Sequence, residues 1–392
     1  MDKQLEEVLT RGVENIYPSR DFLEKLLKSN KKLTIYTGYD PTAPTLHIGH
    51  GITMLKLRQF QDLGHKIIFL IGDFTGMIGD PTDKASARQQ LTREQVLKNC
   101  KEYKKQASAI LRFSGKNPVE IKYNSKWFSK MNFGDVLELS SKFTVQRMLE
   151  RDMFQVRMGE GRPIYVHEFM YPIMQAYDSV IMDVDGEVGG NDQTFNMLAG
   201  RDLVKAMKNK EKFVLTMKLL TDASGKKMGK SEGNMIALAD SAEEMFGKVM
   251  SWSDEMIVRG FELCTKLAAD EIKKMENELA KGANPRDLKL KLAFEIVKTF
   301  LGEKEAGKAE DNFIKTFSKK EVPEEIKEVK IKSKNILDVL VESGLCSSKG
   351  DARRNVEQGG VSIDGETVKD FNFEIKSGAV IKKGKRHFVK IK

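Results

Sequence analysis

Cysteine is scarce in this chain. The three present, Cys100, Cys264 and Cys346, lie far apart, with no CxxC pair among them. Such usage excludes a disulfide framework and a zinc ribbon and fits reduced thiols. Long apolar runs are missing as well: the greasiest, Ile67–Ile71, is far shorter than the ~20 residues that cross a bilayer. The opening Met1–Glu7 lacks the apolar core of a secretory leader, so a cytoplasmic protein with no membrane partner is expected. Histidine is rare, five in 392 residues, and two of the five share one tetrapeptide, His47-Ile48-Gly49-His50.

Apolar residues make up 40% and charged residues 31% of the chain, the balance of a globular protein. A length of 392 residues exceeds one ordinary core, so two or three domains are expected. The net charge of +9 favours an anionic partner, with nucleic acid the default. Residues 30 to 222 read as alternating strands and helices, with strand candidates at Lys32–Thr37, Lys66–Asp73, Val119–Asn124 and Val180–Asp185. The pattern predicts an α/β fold over residues 1–222, a mostly parallel, Rossmann-like sheet with helices on both faces. Ligands then belong beyond the carboxyl ends of its strands. From 223 to 320 a lysine-rich loop gives way to helices. Asn284-Pro285 marks one helix start, and Leu288, Leu292, Ile296 and Phe300 recur every four residues until Gly302. The charged stretch 321–334, with Pro323, reads as a linker, and residues 335–392 as a small α+β unit. In that unit Ile336–Gly344 and Ser348–Val356 are predicted helices, and Gly359–Gly365 supplies turns and a strand start.

The histidine tetrapeptide sits where a predicted strand, Thr34 onward, meets a predicted helix through Gly38, Asp40, Pro41 and Pro44. Ile48, Ile52, Leu55 and Leu63 share one face of that helix. A helix start offers N–H groups to phosphate, Gly49 permits close approach, and imidazole N–H donors stabilise charge growing on a phosphate. A second motif follows far downstream, Gly225-Lys-Lys-Met-Gly-Lys-Ser-Glu-Gly-Asn234. Lys227 and Lys230 among glycines make a cationic loop able to close over a triphosphate and neutralise departing pyrophosphate. The bland alternatives are a capping histidine and a solvated basic loop. The pair resembles the two signatures of class I aminoacyl-tRNA synthetases, with Gly229 in place of the usual serine.

Other segments narrow the choice. Tyr171, Gln175 and Asp178 fall at spacings of four and three and share a helix face just before an apolar run. Gly189-Gly190-Asn-Asp192-Gln193 lies beyond that run, and Gly72–Asp80 places Thr75 and Asp80 on a glycine-rich turn. Over nearly the whole chain this resembles the bacterial tyrosyl-tRNA synthetases. The resemblance implies that Tyr36 and Asp178 bind the phenol, and that Tyr171, Gln175 and Asp80 hold the substrate ammonium, with Thr75 beside them. It implies that Asp40, Gly190, Asp192 and Gln193 meet the nucleotide, that Thr42 and His47 reach the γ-phosphate, and that His50 and Gly49 face the nucleotide. Lys84 and Arg88 match a second cationic arm. ATP is then a substrate that arrives with Mg²⁺, with no dedicated protein metal site.

The final unit resembles the ribosomal-protein-type RNA-binding domain, in which a basic helix face grips folded RNA. Lys349, Arg353 and Arg354 supply that face here, followed by Lys382, Lys383, Lys385 and Arg386 in the tail. The implied activity is tyrosine–tRNA ligation: tyrosine and ATP give tyrosyl-adenylate and pyrophosphate, and the tyrosyl group passes to the 3′ end of tRNA(Tyr). The resemblance also implies a homodimer through an insertion at about 125–170, with Phe143, Met148 and Phe154 as apolar candidates, although core packing explains them equally. Three rivals stay open at this level. A tryptophanyl enzyme shares the fold but not the Tyr36–Asp178 pair. A small-molecule adenylyltransferase needs no basic tail. A non-catalytic RNA-binding protein on the same scaffold is compatible with Gly229.

Overall fold

The first sheet has six strands: β1 (Val13–Tyr17), β2 (Thr34–Tyr39), β3 (Lys66–Ile71), β4 (Glu120–Tyr123), β5 (Gly186–Gly190) and β6 (Phe213–Met217). Their order is β1-β6-β5-β2-β3-β4, and every pairing is parallel except that of β1 with β6. The chain runs outward from β2 through β3 to β4, then returns to lay β5 and β6 on the other side. The order therefore reverses between β2 and β5, the place where such sheets open a crevice for ligands. The computed structural model describes residues 2–80, 91–222, 225, 235–318, 326, 328–331, 333–384 and 387–392. It separates into two compact units, residues 1–307 and 308–392.

Strand β3 is buried along all but its first residue, as a parallel strand covered by helices should be. The histidine helix (Ile48–Asp62) packs on β2, β3 and β5, and the helices Val166–Ile181 and Thr194–Lys208 pack on each other. One expected strand is not there. Val180–Asp185 is apolar because it closes a buried helix, which runs to Ile181 and ends through Asp183 at φ 49°. The strand follows it, in glycines that read as a loop. A Cβ at Gly186 would lie 2.0 Å from the Phe213 ring, and one at Gly189 2.8 Å from Met197 Sδ, so packing demands glycine there.

Downstream, the helix Pro285–Leu301 starts as its sequence predicts, with Asn284 accepting from Arg286 N and proline in the first turn, and it stops at Gly302 with φ 95°. The helices Ala242–Met250 and Met256–Cys264 pack against it. Between β4 and β5 lie short helices at Ser125–Phe128, Phe133–Ser140, Val145–Leu149 and Asp152–Gly159. Here the apolar candidates change identity: Met148 and Phe154 are buried and Phe143 packs against a core cluster. The exposed apolar side chains are instead Phe133, Leu137, Val145, Val156, Met158, Tyr165 and Val166.

In the second unit β7 (Glu328–Val329), β8 (Val361–Ile363), β9 (Glu366–Thr367), β10 (Val380–Lys383) and β11 (His387–Ile391) form a sheet in the order β7-β11-β10-β8-β9. Helices Ile336–Glu342 and Lys349–Glu357 are capped by Asn335 and Ser348. They bury Val339, Leu340, Ala352 and Val356 with Val361, Ile381, Val389 and Ile391 of the sheet. No helix among the described residues is long and apolar enough to cross a membrane.

Candidate active site

His47 is the N-cap of the histidine helix, in extended backbone, and its Nδ1 accepts from Gly49 N at 3.1 Å. His50 Nδ1 accepts in return from His47 N at 3.1 Å. The two imidazoles thus form a reciprocal cap and stack at 3.8 Å between ring centroids. With Nδ1 accepting in each, a neutral ring carries its proton on Nε2, which is then a donor. Gly49 makes this possible, since a Cβ would lie 2.9 Å from the His47 ring. The helix-start amides offered by the sequence are taken: Gly49 N by His47, and Ile48 N by the Ile236 carbonyl at 2.9 Å. Phosphate here would meet imidazole donors in place of bare amides. Leu238 N donates to Leu46 O at 2.8 Å, so the chain just past the lysine motif is tied to the histidine motif.

The ends of β2, β3, β4 and β5 supply the next layer. Asp40, just past β2, accepts from Thr75 Oγ1 at 2.7 Å and from the Tyr171 hydroxyl at 2.8 Å. Gly72 is obligatory beside it, because a Cβ would sit 1.9 Å from Asp40 Oδ1. Asn124, just past β4, donates to Thr75 Oγ1 at 3.0 Å and to Asp178 Oδ2 at 3.3 Å. Asp178 Oδ1 accepts from Trp127 Nε1 at 2.8 Å. Asp80 accepts from Arg151 and from Gln193, each at 2.7 Å. Thr42 N closes a tight turn onto the Asp40 carbonyl at 2.7 Å, and Asp192 lies so near Gly190 that a Cβ there would be 2.4 Å from its Oδ1.

Tyr36 and Asp178, read as a pair, are both buried but are not bonded to each other. The Tyr36 hydroxyl pairs with Ser179 Oγ at 2.8 Å, and Gln175 donates to Glu187 Oε1 at 3.0 Å. Beneath them lies Lys212, wholly buried, which donates to Ser179 Oγ at 2.8 Å and is ion-paired with Glu187. Burial pushes the Asp178 carboxyl well above its usual range, against the pull of Asn124 and Trp127. Burial, with Glu187 and Asp178 nearby, likewise lifts the Tyr36 phenol, and burial with Asp40 lifts Tyr171. The Lys212 ammonium is pushed down by burial while Glu187 opposes the shift. The site therefore presents neutral hydroxyls beside buried carboxyl groups, a setting for directional hydrogen bonds.

Lys84, Arg88, Lys227 and Lys230 lie outside the described residues, as do Lys385 and Arg386 of the tail. In the second unit Lys349, Arg353 and Arg354 stand exposed on one helix, Lys349 paired with Asp338 and Arg353 lying 4.8 Å over the Phe371 ring. Lys382 lies 5.3 Å over Phe388, whereas Lys383 turns inward to the Leu345 carbonyl at 2.6 Å. Asn124, Trp127, Arg151, Ser179, Glu187 and Lys212 were not read from the sequence as site residues. Only the strand order brings them together, and Lys212 hides in the charged run Lys208–Lys212. Its one signal is its place directly before the apolar strand β6.

Comparison with known proteins shows which family the chain matches. Residues 28–318 match the family described as tRNA synthetases class I (W and Y), and residues 314–391 match the tyrosine–tRNA ligase SYY-like C-terminal domain. The tyrosine–tRNA ligase of Thermotoga maritima is 45% identical over 390 residues, covering 98% of this chain and 96% of its own. Tyrosine–tRNA ligase 2 of Vibrio cholerae is 46% identical over 386 residues, covering 98% and 97%. Among solved structures, a C-terminally truncated mitochondrial tyrosyl-tRNA synthetase from Coccidioides posadasii superposes with a TM-score of 0.65 at 28% identity, over 79% of this chain and 92% of that one.

Proposed function

Because the chain belongs to the class I tRNA synthetases of the tryptophan and tyrosine group, and within it to the tyrosine–tRNA ligases, we infer how its residues divide the reaction. Tyrosine and ATP react first: the tyrosine carboxylate attacks the α-phosphorus, and pyrophosphate leaves with the bonding electrons. A ribose hydroxyl at the 3′ end of tRNA(Tyr) then takes the tyrosyl group and AMP departs. The chain's part is positioning and charge stabilisation, which suits a phosphoryl centre that needs little covalent help.

The observation that carries the assignment is the gathering of Tyr36 within β2, Asp178 on the helix Val166–Ile181, and Asp40, Thr75 and Gln193 beyond the ends of β2, β3 and β5, beside the histidine cap. Tyr36 and Asp178 meet the phenol. Asp80, Tyr171 and Gln175 receive the ammonium, which at Asp80 joins or replaces the Arg151 guanidinium. His47 and His50 turn Nε2 donors to the phosphates. Lys227 and Lys230, set among glycines in the sequence, neutralise the departing pyrophosphate. Mg²⁺ enters with the ATP phosphates as part of the substrate. The exposed apolar side chains between Phe133 and Val166 form the interface of a homodimer. Residues 335–392 hold tRNA through Lys349, Arg353 and Arg354, and the enzyme works in the cytoplasm.

The test is amino-acid-dependent ATP–pyrophosphate exchange across all twenty amino acids, with tyrosine expected to be the one strongly active substrate. His47→Ala and Lys230→Ala are expected to slow pre-steady-state pyrophosphate release with little change in tyrosine affinity. An unchanged rate in both would overturn the phosphate-side assignment.

A further inference from the structure

Lys212 and Glu187 form an ion pair with almost no exposure to solvent, at 0% and 3% of their side-chain surfaces. Burying such a pair costs desolvation, and well-packed apolar residues often serve stability as well. Its surroundings suggest a reason for keeping it. Four elements meet there: Tyr36 from β2, Ser179 from the helix Val166–Ile181, Glu187 from β5 and Lys212 at the foot of β6. Space for the ammonium is made by Gly200, where a Cβ would lie 2.7 Å from Lys212 Nζ and 3.0 Å from Ser179 Oγ.

The protons in this cluster are countable. An ammonium only donates, so Ser179 Oγ accepts from Lys212 at 2.8 Å. The serine hydrogen then has two destinations, the Tyr36 oxygen at 2.8 Å or Glu187 Oε2 at 3.5 Å. Glu187 Oε2 is the oxygen that Lys212 already holds, and it is the farther one. Ser179, at the shorter distance, therefore donates to Tyr36, and the hydrogen of Tyr36 turns to Glu187, which also interacts with it, or to a substrate oxygen. Glu187, held by Lys212 on one oxygen, keeps the other for the Gln175 amide at 3.0 Å.

We propose that Lys212 is a positioning residue for amino-acid selection: through Ser179 it makes Tyr36 a hydrogen-bond donor to the substrate phenol, and through Glu187 it fixes Gln175. This rests on the reading that Tyr36 meets the phenol. Asp178 accepts two N–H groups and serves as the acceptor, so the phenol is bonded in one sense only, receiving from Tyr36 and giving to Asp178. Without the ammonium, Ser179 accepts from Tyr36 and donates to Glu187, and the phenol loses its donor. Phenylalanine, with no hydroxyl, is indifferent to the change.

Lys212→Met is expected to raise KM for tyrosine and lower the ratio of tyrosine to phenylalanine kcat/KM by ~10-fold or more, the effect of one misdirected buried hydrogen bond. KM for ATP is expected to stay put. Because that variant strands a buried carboxylate, Lys212→Met with Glu187→Gln is measured beside it, and the ratio is expected to remain low in a folded enzyme. Ser179→Ala should lower the ratio too, without adding to the effect of Lys212→Met. A wild-type ratio in the folded double variant overturns the proposal, since Lys212 would then only neutralise Glu187. Tyr36→Phe is the control: if it leaves the ratio unchanged, the phenol assignment itself fails, whatever Lys212 does.

Discussion

Around Tyr36 the polar and charged groups are buried, and each is held by a named neighbour, Ser179, Asn124, Trp127 or Lys212. In the second unit Lys349, Arg353 and Arg354 stand exposed on a helix whose other face, Ala352 and Val356, packs into an apolar core. Desolvated groups with fixed partners respond to a single missing hydroxyl, because the unpaired site group then bears the full cost. Exposed cations respond to the density of negative charge over a wide area and are blunted by salt. The first arrangement suits choosing one small molecule among close analogues. The second suits holding a large polyanion by its shape.

The sharpest way to break this contrast is at Asp178. Asp178→Ala removes the acceptor and leaves Asn124 and Trp127 donors without it, so kcat/KM for tyrosine is expected to fall by ~100-fold. Affinity for tRNA, measured by filter binding, is expected to be unchanged. A parallel loss of both would mean that the two regions are not separable.

The reciprocal change is Lys349→Ala, Arg353→Ala and Arg354→Ala together. Binding of tRNA is expected to weaken ~10-fold at low salt, and the slope of log affinity against log salt to become shallower by about 2, for three lost phosphate contacts. Tyrosine-dependent exchange, which needs no tRNA, should hold its rate. An unaltered salt slope would remove this helix from the RNA contact.

The two regions were also unequally legible in sequence. The helix starts at Asn284, Asn335 and Ser348 could be read because capping is local, as could the glycine stop at Gly302. The histidine motif was legible by its letters, and a capping histidine was its bland alternative; that the two imidazoles cap reciprocally and stack on each other was not legible. Strand β5 was misplaced because its glycines answer to Phe213 and Met197, which are distant in the chain. Lys212 was invisible for the same kind of reason. A lysine in a charged run is ordinarily solvated, and only the neighbouring strands β6, β5 and β2 reveal that it underlies Tyr36.

Lys56 sharpens the contrast within the first unit, since it is buried like Lys212 but is held by carbonyls, donating to Val8 O at 2.8 Å and Glu7 O at 3.3 Å. Burial, aided by Arg11 and opposed by Glu7 and Glu262, pushes its ammonium down to about 7. The unfolded chain binds this proton up to its ordinary value near 10.5, so between about 7 and 10.5 the folded state holds fewer protons. Stability contributed here rises as pH climbs through that window and is lowest below it. Lys56→Met is therefore expected to raise Tm by several degrees at pH 6 and to gain much less at pH 9. A gain independent of pH would show that the side chain's volume, and not its charge, sets the difference.

Lys383 gives the smallest expected effect and the finest division. It sits in the same basic sequence as Lys382, yet its ammonium donates to the Leu345 carbonyl at 2.6 Å and lies 3.6 Å from Asp351. That places it in the frame of the unit, where it joins β10 to the turn after the first helix. Lys383→Met is expected to lower Tm of the full-length protein by about 5 °C, the worth of one partly buried hydrogen bond in a small unit. Its tRNA salt slope should match wild type. A shallower slope with no loss of Tm would move Lys383 from the frame to the RNA-facing surface, and the boundary between fixed and exposed charge would shift with it.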